Sequence, residues 1–295
     1  MVTKSGYVSI IGKPNAGKST LMNKFLDFKL SAVSKKVQTT RNRIQGVLTG
    51  KDYQIIFVDT PGVLEPKYEM QKFMKKEIRS SFLETDLVLY LIDGMNITIK
   101  DLKKIEEDFI REFSSFKRII ALNKCDYLKQ EQITDKIVTL QQELKFEEII
   151  PISAVTGLNL DLLKLKLIEH LPEGDFYYDR ETLTDKPEKF FVSEIIREKI
   201  LELYEEEIPY SVHVEVREFK EREESQKDFI NADIILERET QKIILLGKKG
   251  EMIKKLGERA RKDIEVFIGK EVFLKLFVKV RKDWRKDNRF LKDIF

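Results

Sequence analysis

Short apolar blocks punctuate the first 170 positions, and stretches with a helix-like period separate them. The blocks are YVSIIG (7–12), RIQGVLT (43–49), YQIIFVDT (53–60), DLVLYLID (86–93), RIIALNK (118–124) and EIIPIS (148–153). Several are nearly continuous, as strands buried on both faces of a parallel sheet require. Helical patterns occupy 18–27, 70–83, 98–113, 130–145 and 158–170. The alternation predicts a doubly wound α/β domain. Only GKD separates the blocks at 43–49 and 53–60, which predicts an antiparallel hairpin at the sheet edge.

The pattern then changes. Residues 171–190 carry Pro, Gly and turn formers with little apolar period and read as a linker. Beyond them a helical stretch (191–206) precedes SVHVEVREF, in which Val212, Val214 and Val216 alternate with polar neighbours. A second strand (228–239), the loop around GKKG, a helix (251–267) and the strand VFLKLFVKVR (272–281) follow. The order is helix, strand, strand, helix, helix, strand, a small α+β module. The expected domains are 1–172, a linker at 173–190, and 191–295.

Composition narrows the partners. The formal net charge is only +3, but 241–295 holds 17 Lys/Arg against 8 Asp/Glu, whereas 191–240 holds 7 against 15. That swing predicts a basic face suited to a polyanion. A single cysteine, Cys125, excludes an internal disulfide framework and suits a reducing cytosol. The N-terminal stretch shows no signal-peptide pattern, and no apolar run approaches the ~20 residues of a membrane span.

The strongest chemical signal is GKPNAGKST, residues Gly12, Lys13, Pro14, Asn15, Ala16, Gly17, Lys18, Ser19 and Thr20. It follows a predicted strand and opens a predicted helix, the context that gives G-x-x-x-x-G-K-[ST] its meaning. Glycines let backbone N–H groups and a helix N-terminus close on phosphate. Lys18 is expected on the β- and γ-phosphates, and the Ser19 hydroxyl on Mg²⁺. Three further motifs end later strands. In DTPG, Asp59 is placed to hold Mg²⁺ through water, and the Gly62 N–H to meet a γ-phosphate. In NKCD (Asn123, Lys124, Cys125, Asp126), the Asp126 carboxylate can accept from guanine N1–H and the exocyclic amine, which adenine lacks. In ISA, the Ala154 N–H beside Ser153 is expected to meet guanine O6.

Between the first two motifs lies SKKVQTTRNRIQ (34–45), where a threonine is expected to close on Mg²⁺ when the γ-phosphate is present. Thr39 and Thr40 are both candidates, with Thr40 favoured. Catalytic roles fall to Lys18, Thr40 and Gly62. Val63 follows DTPG where a Ras-like enzyme carries the glutamine that positions water, so slow intrinsic turnover is expected. His170 and His213 stand apart and read as structural.

The loop GKKG (Gly247, Lys248, Lys249, Gly250) has two residues between its glycines and no following hydroxyl, so a second nucleotide loop fails on spacing. G-x-x-G between two helical segments in an αββααβ order is the pattern of a type II KH module. The RNA-binding candidates are this loop, Ile243, Ile244, Ile253 and Lys254, with Arg281 and Arg285 from the basic tail. Trp284 is either a base-stacking ring or an anchor packed on the module.

The first 170 residues resemble the translation-factor-related GTPases. Over nearly the whole chain, GKPNAGKSTLMNK, VQTTRNRI, VDTPG, NKCD, PISAVTGLN, SEIIREK, PYSVHVEV and ARKDIE resemble the Era family of bacterial ribosome-assembly GTPases. The resemblance implies an α/β Ras-like P-loop GTPase domain, a mostly parallel sheet with helices on both faces, followed by a small α+β type II KH domain. It implies GTP hydrolysis to GDP and phosphate with Mg²⁺, binding to 16S rRNA near its 3′ end, and a part in small-subunit (30S) assembly. A cytoplasmic monomer in loose contact with the inner membrane face is expected. Related GTPases with asparagine at the Asn15 position recruit K⁺ as an extra charge. Two other readings are a signalling GTPase with a protein-binding C-terminal module, and an RNA-binding protein with a vestigial GTPase half.

Overall fold

In the computed structural model, every residue is described except 1, 35, 64, 97, 106, 108–115, 145, 147 and 224. The chain divides into two compact units. The first comprises Met1–Ser31, Thr40–Pro66 and Met74–Asp185. Its sheet has six strands: β1 (Lys4–Ile11), β2 (Ile44–Thr49), β3 (Tyr53–Asp59), β4 (Leu87–Asp93), β5 (Lys117–Asn123) and β6 (Glu148–Pro151). Their order is β2-β3-β1-β4-β5-β6. All neighbours are parallel except β2 and β3, the predicted hairpin. Helices α1 (Lys18–Leu26), α2 (Glu69–Ser81), α3 (Ile99–Ile105), α4 (Gln130–Glu143) and α5 (Leu160–His170) alternate with the strands. The predicted helix at 98–113 is seen as α3; residue 106 and 108–113 lie outside the described residues.

The continuous apolar blocks have the burial that they announced. Val8, Ile10 and Ile11 of β1, Leu87 to Ile92 of β4, and Ile119 to Ala121 of β5 have no solvent exposure. Their carboxyl ends converge where the sheet order reverses, the place where open α/β sheets bind ligands.

Residues 173–185 are not a free linker. The Gln54 carboxamide accepts from the Tyr177 and Tyr178 N–H groups and donates to the Tyr178 carbonyl. The Val47 N–H of β2 donates to the Leu183 carbonyl (2.8 Å), and the Thr184 hydroxyl donates to the Gln45 carbonyl (2.7 Å). An edge strand has unpaired backbone groups, and this segment covers them. Polar side chain–backbone bonds leave no hydrophobic period, which is why the sequence reads as linker.

The second unit comprises Lys186–Phe295 together with Ala32–Thr39 and Lys67–Phe73, so the expected boundaries at 172 and 191 are too simple. It holds α6 (Glu188–Leu203), α7 (Ile208–Ser211), β7 (His213–Lys220), β8 (Asp228–Leu236), α8 (Glu239–Leu246), α9 (Glu251–Ile268), β9 (Val272–Val280) and α10 (Asn288–Ile294). The fully buried Arg197 of α6 donates to the Gln38 and Thr39 carbonyls and pairs with Glu194, while Glu198 accepts the Val33 N–H. Strands β7 and β8 pair antiparallel, and β8 and β9 pair parallel, with α8 and α9 as the crossover. One face of this sheet packs on the helices through Val214, Ile230, Ala232, Val272, Leu274 and Leu276.

Trp284 has no solvent exposure; its indole N–H donates to the Ser211 carbonyl, and its ring meets Phe290 edge-on. The base-stacking alternative for this ring is thereby removed. His213 packs beside Trp284 and Phe290, the structural role expected of it. No helix among the described residues is long and apolar enough to cross a membrane.

Trp284→Ala should cost about 3–5 kcal/mol, the range for truncating a buried aromatic, read as a fall in the urea midpoint. A second expectation concerns acid. Burial alone pushes the Asp228 and Asp233 carboxyls up, but Lys270 on the first, and Lys279 with Arg217 on the second, hold both below the usual carboxylate value. A folded pKa below the unfolded one gives stability that is complete at neutral pH and lost as pH falls through the folded value. Asp233→Asn should therefore destabilise by about 1–3 kcal/mol at pH 7. The gap to the parent should close below about pH 4 in urea melts.

Candidate nucleotide and nucleic-acid sites

The loop between β1 and α1 and the DTPG turn that it touches have no room for a side chain at three glycines. A Cβ on Gly12 would lie 2.3 Å from the Leu91 carbonyl oxygen, and one on Gly17 (φ 100°) 2.4 Å from the Asn123 Nδ2. A Cβ on Gly62 of DTPG would lie 2.7 Å from the Pro14 nitrogen. The phosphate loop and DTPG thus touch backbone to backbone, and the Val63 N–H donates to the Gly12 carbonyl (3.1 Å).

Lys18 is buried, and its ammonium donates to the Gly12 and Lys13 carbonyls at 3.2 and 3.1 Å. Burial lowers its pKa to about 8, against the pull of the nearby Asp59 charge. Asp59 has no solvent exposure, and its pKa is raised by burial. One carboxylate oxygen, Oδ2, accepts the Ser19 and Thr40 hydroxyls at 2.7 and 3.3 Å, and these hydroxyls lie 2.9 Å apart. The other, Oδ1, has no partner among the described residues. Two hydroxyl oxygens beside a buried carboxylate with a spare lone pair, all hard donors, fit Mg²⁺. Thr40 is the threonine brought here, as favoured; the Thr39 hydroxyl donates to the Lys36 carbonyl instead. No cluster of three or more His, Cys, Asp or Glu side chains suited to a metal occurs among the described residues.

At the base end, the buried Asn123 carboxamide donates to the Ala16 carbonyl (2.8 Å) and accepts the Ala154 N–H (2.9 Å). That N–H, expected at guanine O6, donates to Asn123 here. Asp126 is exposed and available to a ligand. Ser153 is buried and accepts the Thr156 N–H, so it shapes the loop. Lys124, at φ 66°, pairs with Asp93 at 2.7 Å. Asp93 also accepts the Met95 N–H and the Asn96 amide, and Lys124 leads the groups that hold its carboxyl below the usual range against burial. No motif named Asp93; its place at the end of β4, opposite Asn123, brings it in. Cys125 is buried and donates to the Leu122 carbonyl, the packing role expected of it. Pro14 and Asn15 lie in the loop, with Asn15 exposed at φ 63°, and Thr20 lies in the first turn of α1.

In the second unit, Gly247 (φ 71°) ends α8, and Gly250 (φ 81°) caps the N-terminus of α9. A Cβ on Gly247 would lie 2.6 Å from Met252. Neither Lys248 nor Lys249 is buried, and Ile243 and Ile244 are 69% and 56% exposed. A groove of about 530 Å³ opens between α9 and β9, lined by Ile253, Lys254, Gly257, Arg261, Phe273 and Leu276 among others. Ile253 and Lys254 were candidates; the β9 residues and Arg261 were not, although the alternation of β9 is their signal. Arg281 and Arg285, also candidates, both make contacts within the unit. Arg281 pairs with Asp287 and lies 3.9 Å over the Phe290 ring. Arg285 pairs with Glu237 and lies over Tyr68.

Comparison with known proteins agrees with both halves. Residues 7–124 match the family model of the 50S ribosome-binding GTPases, and residues 207–285 that of the KH domain. The chain is 42% identical to GTPase Era of Caldanaerobacter subterraneus subsp. tengcongensis, covering 100% of this chain and 98% of that protein. Identity to GTPase Era of Thermoanaerobacter sp. is also 42%, over 99% and 96%. An Era variant of Aquifex aeolicus, solved bound to GDP·AlF4⁻, is 37% identical and superposes with a TM-score of 0.94 over 98% of each chain. Era solved with MgGDPNP and nucleotides 1506–1542 of 16S ribosomal RNA is 38% identical, with a TM-score of 0.91 over 98% of each chain.

Asn123→Ala removes two hydrogen bonds, each of which contributes about 1 kcal/mol. Guanine nucleotide affinity should fall about 10- to 30-fold, measured by titration with a fluorescent GDP.

Proposed function

Because the chain belongs to the Era family of GTPases, we propose that it is a GTP-controlled RNA-binding protein. In this reading it hydrolyses GTP to GDP and phosphate, and it binds 16S rRNA near its 3′ end during small-subunit assembly. The observation that carries the reading is one chain holding two glycine-built loops of different build. One is enclosed and has the exposed Asp126 carboxylate at its far end; the other is an open turn in the unit that holds the α9–β9 groove.

Lys18 is positioned for the β- and γ-phosphates, and Ser19, Thr40 and Asp59 for Mg²⁺, which would supply charge neutralisation at the phosphates. The Gly62 N–H is placed to donate to the γ-phosphate, and Asp126 to accept from the guanine edge. Val63 has its N–H on Gly12 and its side chain packed against the apolar cluster of Ile78, Val88 and Tyr90. A valine so placed offers no polar group to water. Turnover therefore rests on electrostatic positioning by Lys18 and the loops, and it is slow. Asn15 extends the proposal to K⁺; equal turnover in K⁺ and Na⁺ buffers would remove that extension.

Lys248 and Lys249 meet RNA phosphates where the glycines permit close approach, and bases enter the groove between α9 and β9. GTP orders 34–45 and 59–70 and thereby favours RNA binding; linkage makes the effect reciprocal. Identical RNA affinity with GDP and with a GTP analogue would leave such a switch without a thermodynamic basis.

The Lys248→Ala, Lys249→Ala double variant should bind a 16S 3′-end RNA about tenfold or more weakly, with a salt slope shallower by about 2. Filter binding at several salt concentrations measures both. An unchanged slope would show that these lysines meet no phosphate. GTP affinity should stay at the parent level.

A further inference from the structure

The alternation of β9 presents two faces. Val272, Leu274, Leu276 and Val278 turn to the helices, while Phe273, Lys275, Phe277 and Lys279 point the other way. Phe273 is 57% and Phe277 41% exposed. Phe229 of β8 stands opposite Phe273 in the register, and the two rings lie 6.0 Å apart and within 13° of parallel. The Arg222 guanidinium lies 5.8 Å from the Phe229 ring, and the Lys275 ammonium 4.9 Å from that of Phe277.

We propose that this open face of the β7-β8-β9 sheet is a second single-stranded RNA site, on which Phe229 with Phe273, and Phe277, stack bases while Lys275 meets the backbone between them. The inference rests on the RNA reading above and extends it to a surface that shares only Phe273 with the α9–β9 groove. Residues two apart on a strand rise about 6.6 Å, so the aromatic rows are about 13 Å apart with the ammonium midway. Exposed aromatic rings interleaved with cations suit a strand of bases and phosphates, since every base has a π-face. A protein partner would favour a continuous apolar patch, which the ammonium groups interrupt.

The charges agree. Asp233, opposite Phe277 in the register, is matched by Arg217 and Lys279. On β7, Glu215 is paired with Arg217 and Glu218 with Lys220. Lys275 has no carboxylate partner among the described residues, so its charge is open to a phosphate. The face also adjoins the groove, because Phe273 lines the groove and β9 is the sheet edge. RNA leaving the groove can cross that edge directly.

The test uses the full chain and two labelled oligoadenylates followed by fluorescence anisotropy. One is a tetranucleotide, the length a KH loop clamps, and the other has about twelve nucleotides, enough for a further stacking platform. Phe277 lies outside the groove lining, so Phe277→Ala should weaken the long probe about fivefold or more and leave the short one within about twofold. Phe277→Trp should retain the long-probe affinity, and that probe should quench the new indole. Equal long-probe affinity for parent and Phe277→Ala would overturn the inference and leave this face to another partner. A parallel loss for both probes would also overturn it, as general damage to the unit. If the parent protein bound neither probe, the RNA reading itself would fail and this site with it.

Discussion

The carboxamide of Asn123 ties together segments that the chain keeps far apart. Through one side chain, the phosphate loop at Ala16, 107 residues away, and the loop after β6 at Ala154, 31 residues away, are fixed to the end of β5. Each bond is worth only about 1 kcal/mol. Their importance is geometric, because the roles proposed for Asp126 at the base and Lys18 at the phosphates require a fixed spacing between the two loops. Asp93 adds a parallel restraint by holding Lys124 from the adjacent strand end.

Backbone left bare by glycine is the second constraint, and it is met in two ways. At Gly12, Gly17 and Gly62 the space for a Cβ is already filled by protein atoms, which gives an enclosed site. At Gly250 a Cβ would have almost nothing against it, and left-handed backbone is what favours glycine there. An enclosed cradle suits a terminal phosphate chain that must be separated from water. An open turn suits a polymer whose backbone enters and leaves.

A single strand, β9, serves the core with one set of residues and solvent with the other. The inward set closes the apolar cluster with α6, α8 and α9; the outward set carries rings and ammonium groups. The same division marks Val63, whose side chain joins the core and whose N–H joins the loop at Gly12. Both cases show why residue identity alone does not assign a role: orientation decides which partner a side chain meets.

The amino-acid sequence by itself determined that there are two units, though not their bounds, and it determined the parallel sheet, the β2–β3 hairpin, the phosphate loop and the GKKG turn. These rest on local period, glycine spacing and charge, all of which act over a few residues. Only the tertiary structure decided that Thr40 and not Thr39 joins Asp59, and that the Ala154 N–H belongs to Asn123. It also decided that Trp284 is buried in the second unit and that Arg281 and Arg285 pair with Asp287 and Glu237. Residues 173–185 cover the edge of β2, although nothing periodic announces it. Long-range hydrogen bonds and buried ion pairs have no signature along the chain, because their partners meet only after the strands have set the register.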